Sequence, residues 1–164
     1  MKHPVRILGI DPGFGRMGFG VIEKVSGEFQ HVAHGCIETS PKDTFADRLL
    51  TIDRELNSVI KKYTPTHAAV EELFFYKNAK TVIDVSQARG VILLRLKKAN
   101  LPLFELTPLQ VKQALVGYGR AEKKQVQKMV QLVLSLGTGS LQDDAADALA
   151  VAIATIGMLR LASL

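Results

Sequence analysis

The segment SLQDDAADALAVAIA, residues 140–154, places three aspartates (Asp143, Asp144 and Asp147) within five positions at the head of an alanine-rich stretch. On a helix, 144 and 147 are i,i+3 neighbours and 143 and 147 are i,i+4 neighbours, so either pair shares a face. Capping explains one aspartate well and two tolerably, because a carboxylate near a helix start meets free N–H groups and the positive end of the dipole. Asp147 lies beyond the capping turn and is followed by Ala148, Leu149, Ala150 and Val151, none of which is a cationic partner. Such a partly buried carboxylate pair is best explained by a cation that the sequence does not contain.

Two further places carry acid at the end of an apolar run. Asp11 closes VRILGID ahead of a Pro-Gly turn, where ordinary turn chemistry is an alternative reading. Glu71 and Glu72 close HAAVEE. Side chains alternate across a strand, so only one of the two can share a side with Asp11, and spacing does not say which. Oxygen ligands from three parts of the chain, without His or Cys beside them, suit Mg²⁺ or Mn²⁺ rather than zinc. Paired hard cations on carboxylates are the usual equipment for in-line attack on a phosphodiester. The four histidines (His3, His31, His34, His67) are scattered and receive no role. Cys36, the single cysteine, reads as a small buried strand residue rather than a nucleophile, and it excludes an internal disulfide.

The net charge of +5 is concentrated in one region. Between residues 97 and 128 stand Lys97, Lys98, Lys112, Arg120, Lys123, Lys124 and Lys128 against only Glu105 and Glu122, which accounts for the whole surplus. A basic zone of this kind suits a polyanion such as nucleic acid.

The elements that must position these groups follow from pattern. A length of 164 residues with 47% hydrophobic and 23% charged composition predicts one globular domain, 1–164, rather than a disordered chain. The longest apolar run, 148–159, is too short for the roughly 20 residues of a membrane span, and the N-terminus carries no secretory h-region. A cytoplasmic protein is expected. VRILGID, MGFGVIEKV and EFQHVAHGCIET predict three strands joined by tight turns. Leu49, Ile52, Leu56 and Ile60 recur at helical spacing in FADRLLTIDRELNSVIKKY, which Thr64-Pro65 stops. HAAVEELFF predicts a fourth strand, residues 79–99 a helix with Val82, Val85, Ala88 and Ile92 inward, and LPLFEL a fifth strand. Thr107-Pro108 reads as an N-cap with proline at the first helical position of PLQVKQALV. EKKQVQKMVQLVLSL predicts another helix before the acidic one. Strands in a meander, then strands alternating with helices, make a mixed α/β fold.

In order, ILGIDPG, GFGVIE, AVEELFFYKNAKTVIDVSQARGV, QVKQALVGYGRAEKKQV and DDAADALAVAIA resemble the successive motifs of the RuvC-type Holliday-junction resolvases, from about Ile7 to Ile156. The resemblance implies an RNase H-like fold, with a five-stranded mixed sheet flanked by helices and its first three strands antiparallel. It implies a metal-dependent endonuclease that resolves four-way junctions by paired nicks, leaving 5′-phosphate ends, in recombination and repair. The family's four acids fall on Asp11, Glu71, Asp144 and Asp147, with Mg²⁺ as cofactor (Mn²⁺ as substitute), two ions per site. Asp143 is then expected as a cap or an outer acid. Phe74 matches the family's aromatic, which would stack on a base at the opened junction. Lys112 and Lys123 match basic positions near the site, and Arg120 joins them as a candidate DNA contact. The resemblance further implies a homodimer, for which helix 79–99 is the candidate interface, and a branch-migration helicase partner.

Two alternatives remain beside this reading. A module that binds branched DNA without cutting would gain nothing from carboxylates facing phosphates. An actin-like phosphotransferase, suggested by GIDPGFG alone, needs two related lobes and far more chain.

Overall fold

Five strands form one mixed sheet in the computed structural model, which describes residues 4–73, 79–137, 139 and 141–161. In chain order the elements are β1 (Val5–Asp11), β2 (Arg16–Val25), β3 (Glu28–Glu38), α1 (Phe45–Tyr63), β4 (His67–Glu71), α2 (Ala79–Lys98), β5 (Leu103–Leu106), α3 (Pro108–Val116), α4 (Lys123–Val133) and α5 (Asp143–Leu161). The strand order across the sheet is β3-β2-β1-β4-β5. β1 to β3 form the expected antiparallel meander, while β4 joins β1 and β5 joins β4 in parallel. The fourth strand stops at Glu71, short of the LFF that its apolar pattern included, and Phe74 and Phe75 lie outside the described residues.

Local chemistry sets the helix ends. The Thr44 hydroxyl accepts from the Asp47 N–H at 3.2 Å to cap α1, and Lys61 and Lys62 stand in its last turn against the negative end of the dipole. Thr107 caps α3 by accepting from the Gln110 N–H at 3.2 Å, and the Gln110 side chain accepts from the Thr107 N–H at 2.8 Å. Pro108 follows at the first helical position, as expected. α4 ends at Val133, three residues before its pattern runs out, because Ser135 turns into the left-handed region at φ 50°.

The two faces of the sheet carry separate cores. Leu8, Ile10, Met17, Val21 and Val70 meet Ile52 and Leu56 of α1 and Ala88, Ile92 and Leu96 of α2. Val82 and Val85, also expected inward, are half-buried. On the other face Ile7, Ile22 and Ala69 meet α5, which is itself covered by Val111 and Leu115 of α3 and Val126 and Val130 of α4. α5 is almost entirely buried from Ala145 to Ile156 apart from a half-covered Asp147, which is why it reads as uniformly apolar rather than amphipathic.

α5 lies directly on the sheet backbone. A Cβ on Gly9 would come 2.1 Å from the Ala148 carbonyl oxygen, and one on Gly18 would come 1.9 Å from that of Asp144. Only glycine permits that approach. Among the described residues, no helix is long and apolar enough to cross a membrane.

Cys36 departs from expectation. It is half-exposed on β3, on the α5 side of the edge strand, beside the start of α5 at Ala145. Burial and then Asp144 push its thiol up, opposed by Arg16, so the thiolate is disfavoured and the reading against a nucleophile stands.

Candidate active site

The ends of two adjacent parallel strands set the centre. The register pairs Ile10 with Val70, so the residues that follow, Asp11 and Glu71, end their strands side by side. Alternation sends Leu8 and Ile10 of β1, and Ala68 and Val70 of β4, toward α1 and α2. Asp11 and Glu71 therefore project on the opposite face, beneath α5. Glu72 does not join them: with Leu73, Ser86, Arg89 and Glu105 it lines a separate cavity. Register and alternation together thus choose between two acids that spacing left open.

α5 brings the remaining carboxylates. Its close seat on Gly9 and Gly18 holds its first turns over the end of β1, where Asp144 and Asp147 act electrostatically on Asp11. Burial, then Glu71, Asp147 and Asp144, push Asp11 up to about 8, with Lys123 opposing. Glu71 is pushed up to about 7 by burial and then Asp147, opposed by Lys112 and Lys123. Asp147 is also raised, by burial, against a hydrogen bond from Lys123. These directions mark a set of acids that is short of positive charge.

The acids are not without a cation from the chain itself, which corrects the sequence expectation for Asp147. Lys123, at the start of α4, places Nζ 2.9 Å from Asp147 Oδ2 and 3.6 Å from Asp143 Oδ2. Burial lowers the ammonium's pKa, but the two aspartates more than reverse this and hold it above the usual lysine value. The pairing was invisible in sequence because it joins residues from two helices across the α4–α5 interface. Asp143 is exposed and accepts from the Gln127 side-chain N–H at 2.9 Å. That bond and then Lys123 hold its carboxyl below the usual range. It sits at the rim, as an outer acid.

Arg16 was missed altogether. At the start of β2 it donates to Glu38 at 3.1 Å and stands 3.5 Å from Asp144 Oδ2. The hairpin register pairing Asp11 with Gly18 carries Arg16 just past the end of β1. That position follows from the register, whereas the meeting with Asp144 needs α5 in place.

A cleft of about 170 Å³ opens beside the acids, lined by Glu71, Pro108, Lys112, Lys123, Val126 and Asp147 among others. Lys112 of α3 and Lys123 of α4 thus enter the site from the same side as the basic zone, and Arg120 stands exposed in the connection between these helices. Phe74, the fourth expected DNA contact, lies outside the described residues.

The donor set fits a hard dication, being carboxylate oxygen from Asp11, Glu71, Asp144 and Asp147 with no histidine among the groups acting on Asp11. The raised pKa values of Asp11 and Glu71 mark the shortage of positive charge that such a cation would make good. Among the described residues, no three acid, histidine or cysteine side chains are yet drawn together as ligands, and the Lys123 ammonium stands against the aspartates instead.

Comparison with known proteins shows the family. The family model described as crossover junction endodeoxyribonuclease RuvC matches residues 7–155. The RuvC protein of Petrotoga mobilis is 53% identical over 146 residues, covering 89% of this chain and 90% of its own. That of Thermosipho melanesiensis is 51% identical over 148 residues, covering 90% and 94%. Among solved structures, Thermus thermophilus RuvC in complex with a Holliday junction substrate superposes with a TM-score of 0.90 at 33% identity, over 96% of each chain.

Proposed function

Because the chain belongs to the RuvC family of crossover junction endodeoxyribonucleases, we propose that it cuts four-way DNA junctions at the acidic centre between β1, β4 and α5. It is a metal-dependent endonuclease of RNase H-like fold, acting on Holliday junctions in recombination and repair and leaving 5′-phosphate ends. The observation that supports the assignment of the site is the electrostatic coupling of Asp11 to Glu71, Asp147 and Asp144, which with burial pushes Asp11 up to about 8.

In this reading the four carboxylates are both catalytic and metal-binding. They take Mg²⁺, with Mn²⁺ as a working substitute, in a pair per site. When bound, the cations supply Lewis acidity to the phosphodiester, acidity to the attacking water and neutralisation of the leaving oxygen. Asp11 and Glu71 would hold the cations from the rigid strand ends. Asp144 and Asp147 hold the opposite side from α5. Lys123 leaves Asp147 for a phosphate oxygen, so charge within the cleft stays balanced as the polyanion enters. Lys112 meets the same strand from α3. Arg120 contacts the backbone further out, which positions the DNA without reading its sequence. Phe74 stacks on a base at the opened junction, a role that rests on the family pattern.

The chain works as one nuclease domain over residues 1–164, supported by a single sheet that carries both cores. It acts as a homodimer, because two sites related by a two-fold axis match a junction of approximate two-fold symmetry. Exposed Ile83 and Leu94 support α2 as the contact. A branch-migration helicase is its partner and the cytoplasm its compartment, as the DNA substrate favours.

The test uses a labelled mobile four-way junction and a linear duplex of the same sequence, each with Mg²⁺ or with EDTA. Paired nicks on opposed strands of the junction alone, and only with Mg²⁺, are expected. Tight junction binding without cleavage in either Mg²⁺ or Mn²⁺ would make the protein a binding module.

A further inference from the structure

The edge strand β3 carries a feature that the nuclease site does not use. Its ladder with β2 slips by one residue between Val21 and Ile22: Val21 pairs with Ala33 but Ile22 pairs with His31, leaving Val32 as an extra residue. In a regular strand, residues three apart point to opposite faces. Here Val32 and Ala33 both pack into the α1–α2 core, and the residues flanking them, His31 and His34, turn together to the other face. His34 sits opposite Gly20, whose open side meets Leu149 of α5, which fixes that face as the α5 side. The imidazoles meet there with His31 Nε2 2.8 Å from His34 Nδ1 and ring centroids 4.9 Å apart. His34 is exposed and His31 half-buried, at the sheet edge beyond α5.

We propose that His31 and His34 form a second cation site, separate from the acidic centre, which takes a borderline transition-metal dication such as Ni²⁺, Cu²⁺ or Zn²⁺ through His31 Nε2 and His34 Nδ1. Metal–imidazole bonds of about 2.0–2.1 Å place two such nitrogens about 2.9 Å apart at a right angle and about 3.4 Å apart in tetrahedral geometry. The observed 2.8 Å needs an opening of about 0.1–0.6 Å together with a swing of each ring that turns its lone pair from the partner nitrogen toward a common ion. Between neutral rings one facing nitrogen carries the shared proton. Cation entry moves that proton through solvent to the far nitrogen of the same ring, so both facing nitrogens become donors and no net proton is released. Burial and then His34 lower the pKa of His31, which favours its neutral, ligating form. Imidazole donors favour borderline dications over Mg²⁺, so the two sites on this chain select different ions. No third Asp, Glu, His or Cys completes a cluster among the described residues, and water fills the remaining positions.

The full chain, held in excess Mg²⁺ to load the acidic centre, is titrated with Ni²⁺ by calorimetry. The imidazole proton resonances are followed in parallel. One Ni²⁺ per chain is expected, with paramagnetic broadening of His31 and His34 before His67. His34→Gln, at an exposed position, should weaken binding by at least about tenfold, as should His31→Gln. Both should leave Mg²⁺-dependent junction cleavage and cooperative unfolding unchanged. Unaltered Ni²⁺ affinity in His34→Gln, or broadening confined to another histidine, would overturn the site. Neither result would bear on the nuclease assignment.

Discussion

The two faces of the sheet solve packing and electrostatics in opposite ways. On the α1–α2 face, large side chains fill the space: Ile10, Met17, Ile52, Leu56, Ile92 and Leu96 are fully buried. The charges there are matched, with Arg95 Nε donating to Asp53 Oδ1 at 2.7 Å, a bond that holds the Asp53 carboxyl below the usual range. On the α5 face, alanines of α5 meet glycines of the sheet, and acids stand where burial and one another push them up. One face pairs its charges. The other holds carboxylates where burial and mutual repulsion raise them, and the proposed chemistry sits on that second face.

The largest effect that tests this contrast is on catalysis. Asp147→Asn should lower junction cleavage by more than roughly 100-fold, the upper cost of even an outer-shell change at a metal site. Junction binding, read by gel shift, should be unchanged or tighter because a negative charge near DNA is lost. Cleavage at near the wild-type rate would remove Asp147 from the site. Leu96→Ala on the opposite face should cost about 2–5 kcal/mol in urea unfolding through the cavity it leaves, with cleavage preserved wherever the variant is folded. Gly18→Ala should behave differently. Its methyl must displace the Asp144 carbonyl, so overpacking of about 1–3 kcal/mol should come with loss of cleavage. A folded but inactive Gly18→Ala and a destabilised but active Leu96→Ala would together sharpen the distinction.

A smaller pair of effects concerns pH. Asp11 has a folded pKa raised above its unfolded value of 3.8 to about 8, so the folded state binds more protons between those limits. Stability is thereby lost as pH rises through that window. Asp11→Asn should raise the melting temperature at pH 8 in EDTA by several degrees and change it little at pH 4. Asp53 has the opposite sign: its folded pKa is depressed, so its contribution is present above the unfolded value and is lost as pH falls below it. Because that pair is partly exposed, Asp53→Asn should cost under about 1 kcal/mol at neutral pH. Equal pH responses in the two variants would erase the electrostatic contrast.

Much of this arrangement is legible in the residues. The meander, the alternation of later strands and helices, the Thr107-Pro108 helix start and the excess of acid in DDAAD all follow from local pattern. The choice of Glu71 over Glu72 follows from the family motif but not from spacing, because physically it depends on the parity of two strands and their mutual register. The Lys123–Asp147 pair and the approach of Arg16 to Asp144 depend on how α4 and α5 sit on the finished sheet. Cys36 carries strand character, but its place at the sheet edge beside the start of α5 is a tertiary fact. The slip at Val32 leaves no sign at all, since one added residue in a strand of mixed polarity resembles none.

The seat of α5 has a mechanical consequence. Where side chains interdigitate, each rotamer brings play, and the looseness of an interface is the sum of many small tolerances. Main chain resting on main chain has almost none, so the helix start above Gly18 behaves as a datum surface against which Asp144 and Asp147 are gauged. Warming should therefore leave the spacing of these two carboxylates unchanged until the helix start itself lifts from Gly18.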